Sequence, residues 1–135
     1  MRKYENFVSN LRVLETADKE DLDNEFIVGG IIDKFFVQFE LGWKLLKELL
    51  AYEGRSDFAS GSPRSIIKTA FEVWEFIDEE VWLAMLADRN NLSHVYDKSA
   101  ARRLVNAVLK AYVPEFQKVE ANVNDKYGSL LHGNQ

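Results

Sequence analysis

The chain has 135 residues, the size of one ordinary domain, and 47% of them are hydrophobic, so we expect a single packed domain over residues 1–135 rather than extensive disorder. It contains no cysteine, which excludes disulfides and cysteine-ligated metals, and its formal net charge of −5 argues against a broad electrostatic grip on nucleic acid. The first residues lack an apolar signal core and no apolar run approaches the roughly 20 residues that span a bilayer, so we expect a soluble, cytoplasmic protein.

Apolar residues recur mainly three and four positions apart, which predicts an all-α fold, an up-and-down bundle of four to five helices. The first helix covers about residues 2–16, and an acidic linker follows it up to residue 24. The second helix, over about residues 25–52, carries two apolar stripes and should therefore pack against neighbours on two sides. The stripes consist of Val28, Ile31, Phe35, Phe39, Gly42, Leu46 and Leu49, and of Phe36, Trp43 and Leu50.

Turn and capping residues predict where the next helices begin. Gly54 is placed to end the second helix, because glycine readily adopts the left-handed conformation found after helix ends. Ser62 followed by Pro63 is typical of a helix start, with serine as the N-cap and proline in the first turn. The third helix should cover about residues 63–76, and the fourth should begin near Asp78.

The last helix should start near Asp97 or Ser99 and run to about residue 122. Pro114 lies inside this pattern and should kink it, since proline has no N–H to donate and its ring clashes with the preceding turn. Residues 123–135 are predicted to be a frayed tail.

One polar segment, "DRNNLSHVYD" at residues 88–97, stands out from this apolar pattern. Its Arg89 and His94 are five positions apart and would point about 140° away from each other on a regular helix, at about 100° per residue. They can share a site only if the helix ends or bends between them. The intervening "NNLS" favours such an end, because asparagine and serine compete for backbone hydrogen bonds. The segment is therefore predicted to lie at a corner between two helices.

Arginine and histidine together can perform phosphoryl chemistry. Arg89 can hold a phosphate with two parallel hydrogen bonds and stabilise growing negative charge, and His94 can take or give a proton near neutral pH. The pair suffices for metal-independent attack of an RNA 2′-hydroxyl on its neighbouring phosphate, with Asn90 orienting the scissile group or the imidazole. Tyr96 adds a phenol that can contact phosphate or be modified. The alternatives are a partly exposed helix-end histidine and a core tyrosine with one solvated edge.

Other chemistries have less support in the sequence. The two histidines are 38 positions apart and cysteine is absent, which argues against zinc. There is no Glu-x-x-His pair of the kind that binds two metals in a helical bundle, and no glycine-rich phosphate loop. We therefore expect no metal and no cofactor.

Three blocks carry a wider resemblance: "IIDKFFVQFELGWKLLKELLAYEG", "SPRSIIKTAFE" and "WLAMLADRNNLSHVYD". In this order, over about residues 28–119, they resemble the HEPN superfamily, in particular the nucleotidyltransferase substrate-binding proteins. Arg89, His94 and Tyr96 fit that family's Arg-x4-His-x-Tyr motif, and Asn90 fits its common Arg-Asn start. Gly42 replaces the alanine usual in the family's Phe-Glu-Leu-Ala-Trp-Lys block, and "DKFF" stands where the family often has Gln-Arg-Phe-Glu.

The resemblance implies a HEPN-type toxin, an endoribonuclease paired with a minimal nucleotidyltransferase that silences it by placing AMP on the motif tyrosine. Carried over to this sequence, Arg89 and His94 are catalytic, Asn90 supports them and Tyr96 is modified. The resemblance also implies a homodimer with both motifs near its cleft, where Arg102 or Arg103 of each copy would add positive charge. Two alternatives are a non-catalytic subunit that presents a substrate or nucleotide to the transferase, and a plain helical dimerisation module.

Overall fold

The computed structural model describes residues 1–56 and 61–132. Within these ranges every regular element is helical and no strand occurs, so the all-α prediction is confirmed. A 3₁₀ turn covers Ala17–Lys19, and a π-helical segment, Val108–Tyr112, joins the last two α-helices. The α-helices are α1 (Arg2–Leu14), α2 (Glu25–Tyr52), α3 (Pro63–Val73), α4 (Glu79–Asn90), α5 (Ser93–Tyr96), α6 (Lys98–Ala107) and α7 (Val113–Leu131).

Helix α2 is the central element, and its ends are set by the residues around them. The side chain of Asn24 accepts hydrogen bonds from the N–H groups of Phe26 and Ile27 and caps the first turn. At the other end Gly54 has a φ of +78°, and the N–H of Arg55 donates to the carbonyl of Leu50. Helix α2 contacts α1, α3, α4 and α6, which confirms that its two apolar stripes serve neighbours on more than one side.

The starts of α3 and α4 were predicted correctly, whereas two helix ends were placed too late. Ser62 caps α3 by accepting from the N–H of Ser65 at 3.2 Å, and Asp78 caps α4 by accepting from the N–H of Val81 at 3.2 Å. Helix α3 ends at Val73 rather than near residue 76, because the next residue has an extended backbone. Helix α1 ends at Leu14 rather than near residue 16.

The predicted frayed tail was wrong for the residues up to 131. Helix α7 continues to Leu131 and buries Val123, Tyr127 and Leu131 in the common core. The hydroxyl of Tyr127 accepts from Trp74 Nε1 at 2.9 Å and donates to Glu53 Oε2 at 2.5 Å. These bonds join the C-terminal turns to α2 and α3. Residues 133–135 lie outside the described part of the chain.

The irregularity near Pro114 takes the form of a wider turn. The N–H of Val113 donates to the carbonyl of Val108, five residues back, instead of four as in an α-helix. Proline at position 114 has no N–H to donate, so a regular α-helical ladder cannot pass through this point. The helical path from Lys98 runs through the π-helical segment into α7, where the backbone of Tyr127 departs from helical geometry, with a φ of −123° and a ψ of 19°.

Buried polar groups are paired within the described residues, where no buried side-chain nitrogen or oxygen lacks a partner. Gln38 accepts from Asn10 Nδ2 at 2.7 Å and donates to the carbonyl of Phe7 at 3.0 Å, which ties α1 to α2. Glu115 accepts from Trp82 Nε1 and from the N–H of Asp78, both at 3.1 Å. None of the described helices combines the length and the apolar character needed to cross a bilayer.

Candidate functional site

The polar segment forms a corner between α4 and α6, as the sequence predicts. Helix α4 ends at Asn90, and the side chain of Asn91 then accepts from the N–H and the hydroxyl of Ser93, at 2.9 and 2.7 Å. Helix α5 is a single turn. Asp97 follows it and caps α6 by accepting from the N–H of Ser99 at 2.8 Å. The chain therefore changes direction between Arg89 and His94.

Helix α2 brings the two motif residues to one surface. Phe36 contacts the imidazole of His94 edge to face, with the ring centroids 5.4 Å apart. Glu40 forms an ion pair with Arg89, with 2.7 Å between Oε2 and Nη2. Phe36 and Glu40 are four residues apart and so lie one turn apart on the same face of α2. Arg89 and His94 consequently lie along one stripe of this helix, although a continuous α4 would point them apart.

Glu40 is a charged residue of this site that the sequence did not single out. Besides Arg89, its carboxylate accepts from Trp43 Nε1 at 3.2 Å and lies 3.8 Å from Lys44 Nζ. The guanidinium of Arg89 also lies over the ring of Phe39, 5.9 Å from its centroid. Glu40 uses one edge of a guanidinium that has five N–H donors, so the remaining donors are available to an anion. The sequence does contain a signal for Glu40, because it follows Phe36 by four residues and so lies on the same face of α2.

The imidazole of His94 is half-buried and has one contact with the backbone. Its Nδ1 lies 3.3 Å from the carbonyl oxygen of Asn91. With the proton on Nδ1 for this contact, Nε2 is the nitrogen that can accept a proton. Asn90 was predicted to orient the scissile group or the imidazole, and within residues 1–56 and 61–132 its exposed side chain makes no hydrogen bond. The backbone contact of the imidazole is with Asn91, and a role for Asn90 toward the scissile group stays a prediction.

A cleft of about 420 Å³ lies between the first half of α2 and the α5–α6 corner. His94 and Tyr96 line it together with the apolar residues Val28, Ile32 and Ala101. Tyr96 is 90% exposed, so the alternative of a core tyrosine with one solvated edge is wrong. The other lining residues are Asp23, Glu25, Gly29, Asp33, Val95, Asp97, Lys98 and Arg102.

Two ion pairs join α6 to the start of α2 beside this cleft. Lys98 Nζ lies 2.9 Å from Glu25 Oε1, and Arg102 Nη1 lies 3.0 Å from Asp23 Oδ1. The hydrogen bond from Lys98 lowers the pKa of the Glu25 carboxyl below its usual value. The positive charge that the sequence suggested at Arg102 is therefore offset by a carboxylate of the same chain.

The end of α4 is held from the core by Tyr112, which belongs to the π-helical segment. Its hydroxyl donates to Asp88 Oδ2, one residue before Arg89, and its ring stacks on Phe35 at 5.1 Å. Burial of the phenol, followed by the hydrogen bond to Asp88, raises the pKa of Tyr112 above its usual value. A π-helical turn beside a polar site is a recurrent feature of functional regions.

Together these helices define an all-α protein that presents an arginine, a histidine and an exposed tyrosine at a corner between two helices. A protein-family model described as "Nucleotidyltransferase substrate binding protein like" matches residues 1–125. The chain belongs to this family, which confirms the resemblance to nucleotidyltransferase substrate-binding proteins. No curated protein matches the chain.

Proposed function

We propose that this protein is a metal-independent endoribonuclease, and that a minimal nucleotidyltransferase silences it by transferring AMP to Tyr96. One observation supports the catalytic half of the proposal. Phe36 and Glu40, one turn apart on α2, contact His94 and Arg89, so a proton acceptor and a phosphate-binding cation share one surface. The family description, which names a nucleotidyltransferase, supports the second half.

In the proposed reaction His94 Nε2 takes the proton of an RNA 2′-hydroxyl. The 2′-oxygen attacks the adjacent phosphorus, and the 5′-oxygen leaves with a proton supplied by the imidazolium. The products are a 2′,3′-cyclic phosphate and a 5′-hydroxyl. Arg89 donates to the phosphate oxygens with the N–H groups that Glu40 does not use, and so stabilises the added negative charge of the transition state.

The first experiment incubates purified protein with RNA in the presence of a chelator. Wild type should yield cyclic-phosphate ends, and His94→Ala should abolish them. His132→Ala is the matched control, because His132 is the other histidine of the chain and lies at the end of α7, where its Nε2 contacts Asn124. Equal inertness of wild type and His94→Ala at high enzyme concentration would exclude the ribonuclease.

The second experiment tests Tyr96 as the acceptor of AMP. Its phenol oxygen would attack the α-phosphorus of ATP and release pyrophosphate, and 90% exposure makes it accessible to a partner enzyme. With the transferase and ATP, the mass of the protein should rise by one or more AMP units. Tyr96→Phe should prevent the increase, whereas Tyr52→Phe should not, although Tyr52 is 62% exposed. An unchanged mass gain in Tyr96→Phe would reject the assignment.

A second candidate function is a non-catalytic subunit that binds a substrate or nucleotide for the transferase. The family description and the cleft of about 420 Å³ beside Tyr96 favour it. In this case the protein would copurify with the transferase and bind a nucleotide, and RNA would stay intact at every enzyme concentration.

The motif segment also suggests a homodimer interface. Leu92 and Val95 are 61% and 60% exposed, and Tyr96 adjoins them, so apolar side chains surround the site. Light scattering coupled to gel filtration should give the mass of two chains for wild type and of one chain for Val95→Glu. Phe71→Glu is the control, since Phe71 is exposed on α3 instead. A monomeric wild type would refute the dimer.

A further inference from the structure

We propose that the cleft beside His94 is a guanine-binding subsite in which Asp33 recognises the base. The proposal rests on the proposed ribonuclease and names the part of the RNA that the site selects. The volume of the cleft, about 420 Å³, lies within the roughly 300–1,000 Å³ typical of small-molecule sites. Nothing in the family description assigns a ligand to this cleft.

The charges around the cleft separate the phosphate from the base. Four carboxylates and two cations line it, a formal excess of two negative charges with His94 neutral. A phosphate is therefore disfavoured inside the cleft and is attracted to Arg89, which does not line it. The uncharged base is the part of a nucleotide that the cleft can accept, with the apolar side chains of Val28 and Ile32 beside it.

Three of the four carboxylates already have partners. Asp23 pairs with Arg102, Glu25 pairs with Lys98, and Asp97 caps α6. Asp33 is exposed and has neither a hydrogen bond nor an ion pair within the described ranges, 1–56 and 61–132. It is thus the carboxylate of the cleft that is available to a ligand.

A carboxylate selects guanine among the four bases. The N1–H and N2–H donors of guanine are parallel and match the two oxygens of a carboxylate, in the way that the two donors of an arginine fork do. Adenine and cytosine place a ring acceptor beside their amino group, which a carboxylate repels, and uracil offers a single N–H. Tyr96 lines the same cleft and supplies an aromatic face on which a base can stack.

The first test measures binding of GMP, XMP, IMP, AMP, CMP and UMP by amide chemical-shift titration, which does not depend on catalysis. GMP should bind wild type about tenfold more tightly than the others, the discrimination expected of a bidentate contact. In Asp33→Asn the preference should pass from GMP to XMP, because an amide can both accept and donate where xanthine has its 2-oxo group. Equal affinities for GMP and UMP, or an unchanged preference in Asp33→Asn, would overturn the proposal.

A second pair of variants tests the location. Gly29 lines the cleft and Gly30 does not, and an added Cβ meets nothing within 4 Å at either position. Gly29→Leu should therefore fill the cleft and weaken GMP binding about tenfold or more, whereas Gly30→Leu should leave it unchanged. Equal binding in both variants would place the base elsewhere and reject the subsite.

Cleavage of RNA then separates this proposal from the proposed function. Wild type should cut beside guanosine, and Asp33→Asn should lose that preference while still cutting. If RNA is cut without base preference and GMP is not favoured, the subsite is wrong and the ribonuclease stands. If GMP binds through Asp33 but RNA stays intact, the ribonuclease is wrong and the guanine site stands.

Discussion

Replacing Gly42 by alanine tests how tightly α2 packs against α4. A Cβ at this position would lie 2.9 Å from Cη2 of Trp82 and 3.3 Å from Cε1 of Phe7. Trp82 is fully buried and its Nε1 is bonded to Glu115, so the indole cannot easily move aside. Overpacking of this kind costs about 1–3 kcal/mol. It outweighs the roughly 0.5–1 kcal/mol that alanine gains over glycine in a helix.

We therefore expect Gly42→Ala to lower the free energy of unfolding by about 1 kcal/mol. Gly30→Ala is the matched control in the same helix, because Gly30 is exposed and an added Cβ meets nothing within 4 Å. That variant should gain about 0.5–1 kcal/mol. Urea unfolding followed by circular dichroism measures both, with an unchanged dependence on urea as the check on two-state behaviour. A Gly42→Ala protein as stable as Gly30→Ala would show that the reasoning about Trp82 is wrong.

Three further changes have defined outcomes. Tyr127→Phe removes the acceptor of a buried indole N–H and should lower the free energy of unfolding in urea by about 2 kcal/mol, whereas Tyr52→Phe should change it little. Equal effects of the two variants would mean that the last turns of α7 are frayed. Burial, followed by the hydrogen bond to Glu53, raises the pKa of Tyr127 to about 12. Its contribution to stability should therefore be full below about pH 10 and be lost as the pH rises through about 12. The free energy of unfolding, measured against pH, should fall less steeply at alkaline pH in Tyr127→Phe than in wild type. Glu40→Ala removes the carboxylate that orients the guanidinium of Arg89 and should lower kcat/KM for RNA cleavage about tenfold, with Lys44→Ala as the control. An unchanged kcat/KM in Glu40→Ala would show that Glu40 does not have this role.

The sequence predicted α2 and the corner well because local residues set them. Asn24 and Gly54 lie at the two ends of α2, and between Arg89 and His94 the side chain of Asn91 accepts from the N–H of Ser93 where α4 ends. In both places the decisive interaction joins residues only a few positions apart. Such interactions can be predicted from a short stretch of sequence.

Contacts between distant parts of the chain could not be predicted in this way. The last turns of α7 are ordered because Tyr127 meets Trp74 and Glu53, and neither is close to it in sequence. In the local sequence Glu40 looks like any other charged residue of α2, and only its ion pair with Arg89 of α4 makes it part of the site. The catalytic and modification roles of the motif residues remain predictions.

The π-helical segment Val108–Tyr112 keeps the helices on its two sides in register. A π turn contains one residue more than an α turn of the same span, so the segment is equivalent to a single-residue insertion that is accommodated locally. Phe116, Val119 and Val123 therefore face the core while the cleft-lining face of α6 keeps its place. A residue deleted from the regular turns of α7 would, by contrast, rotate the residues after it by about 100°. The chain can therefore change in length at the π-helical segment with less effect on the core than in the regular turns of α7.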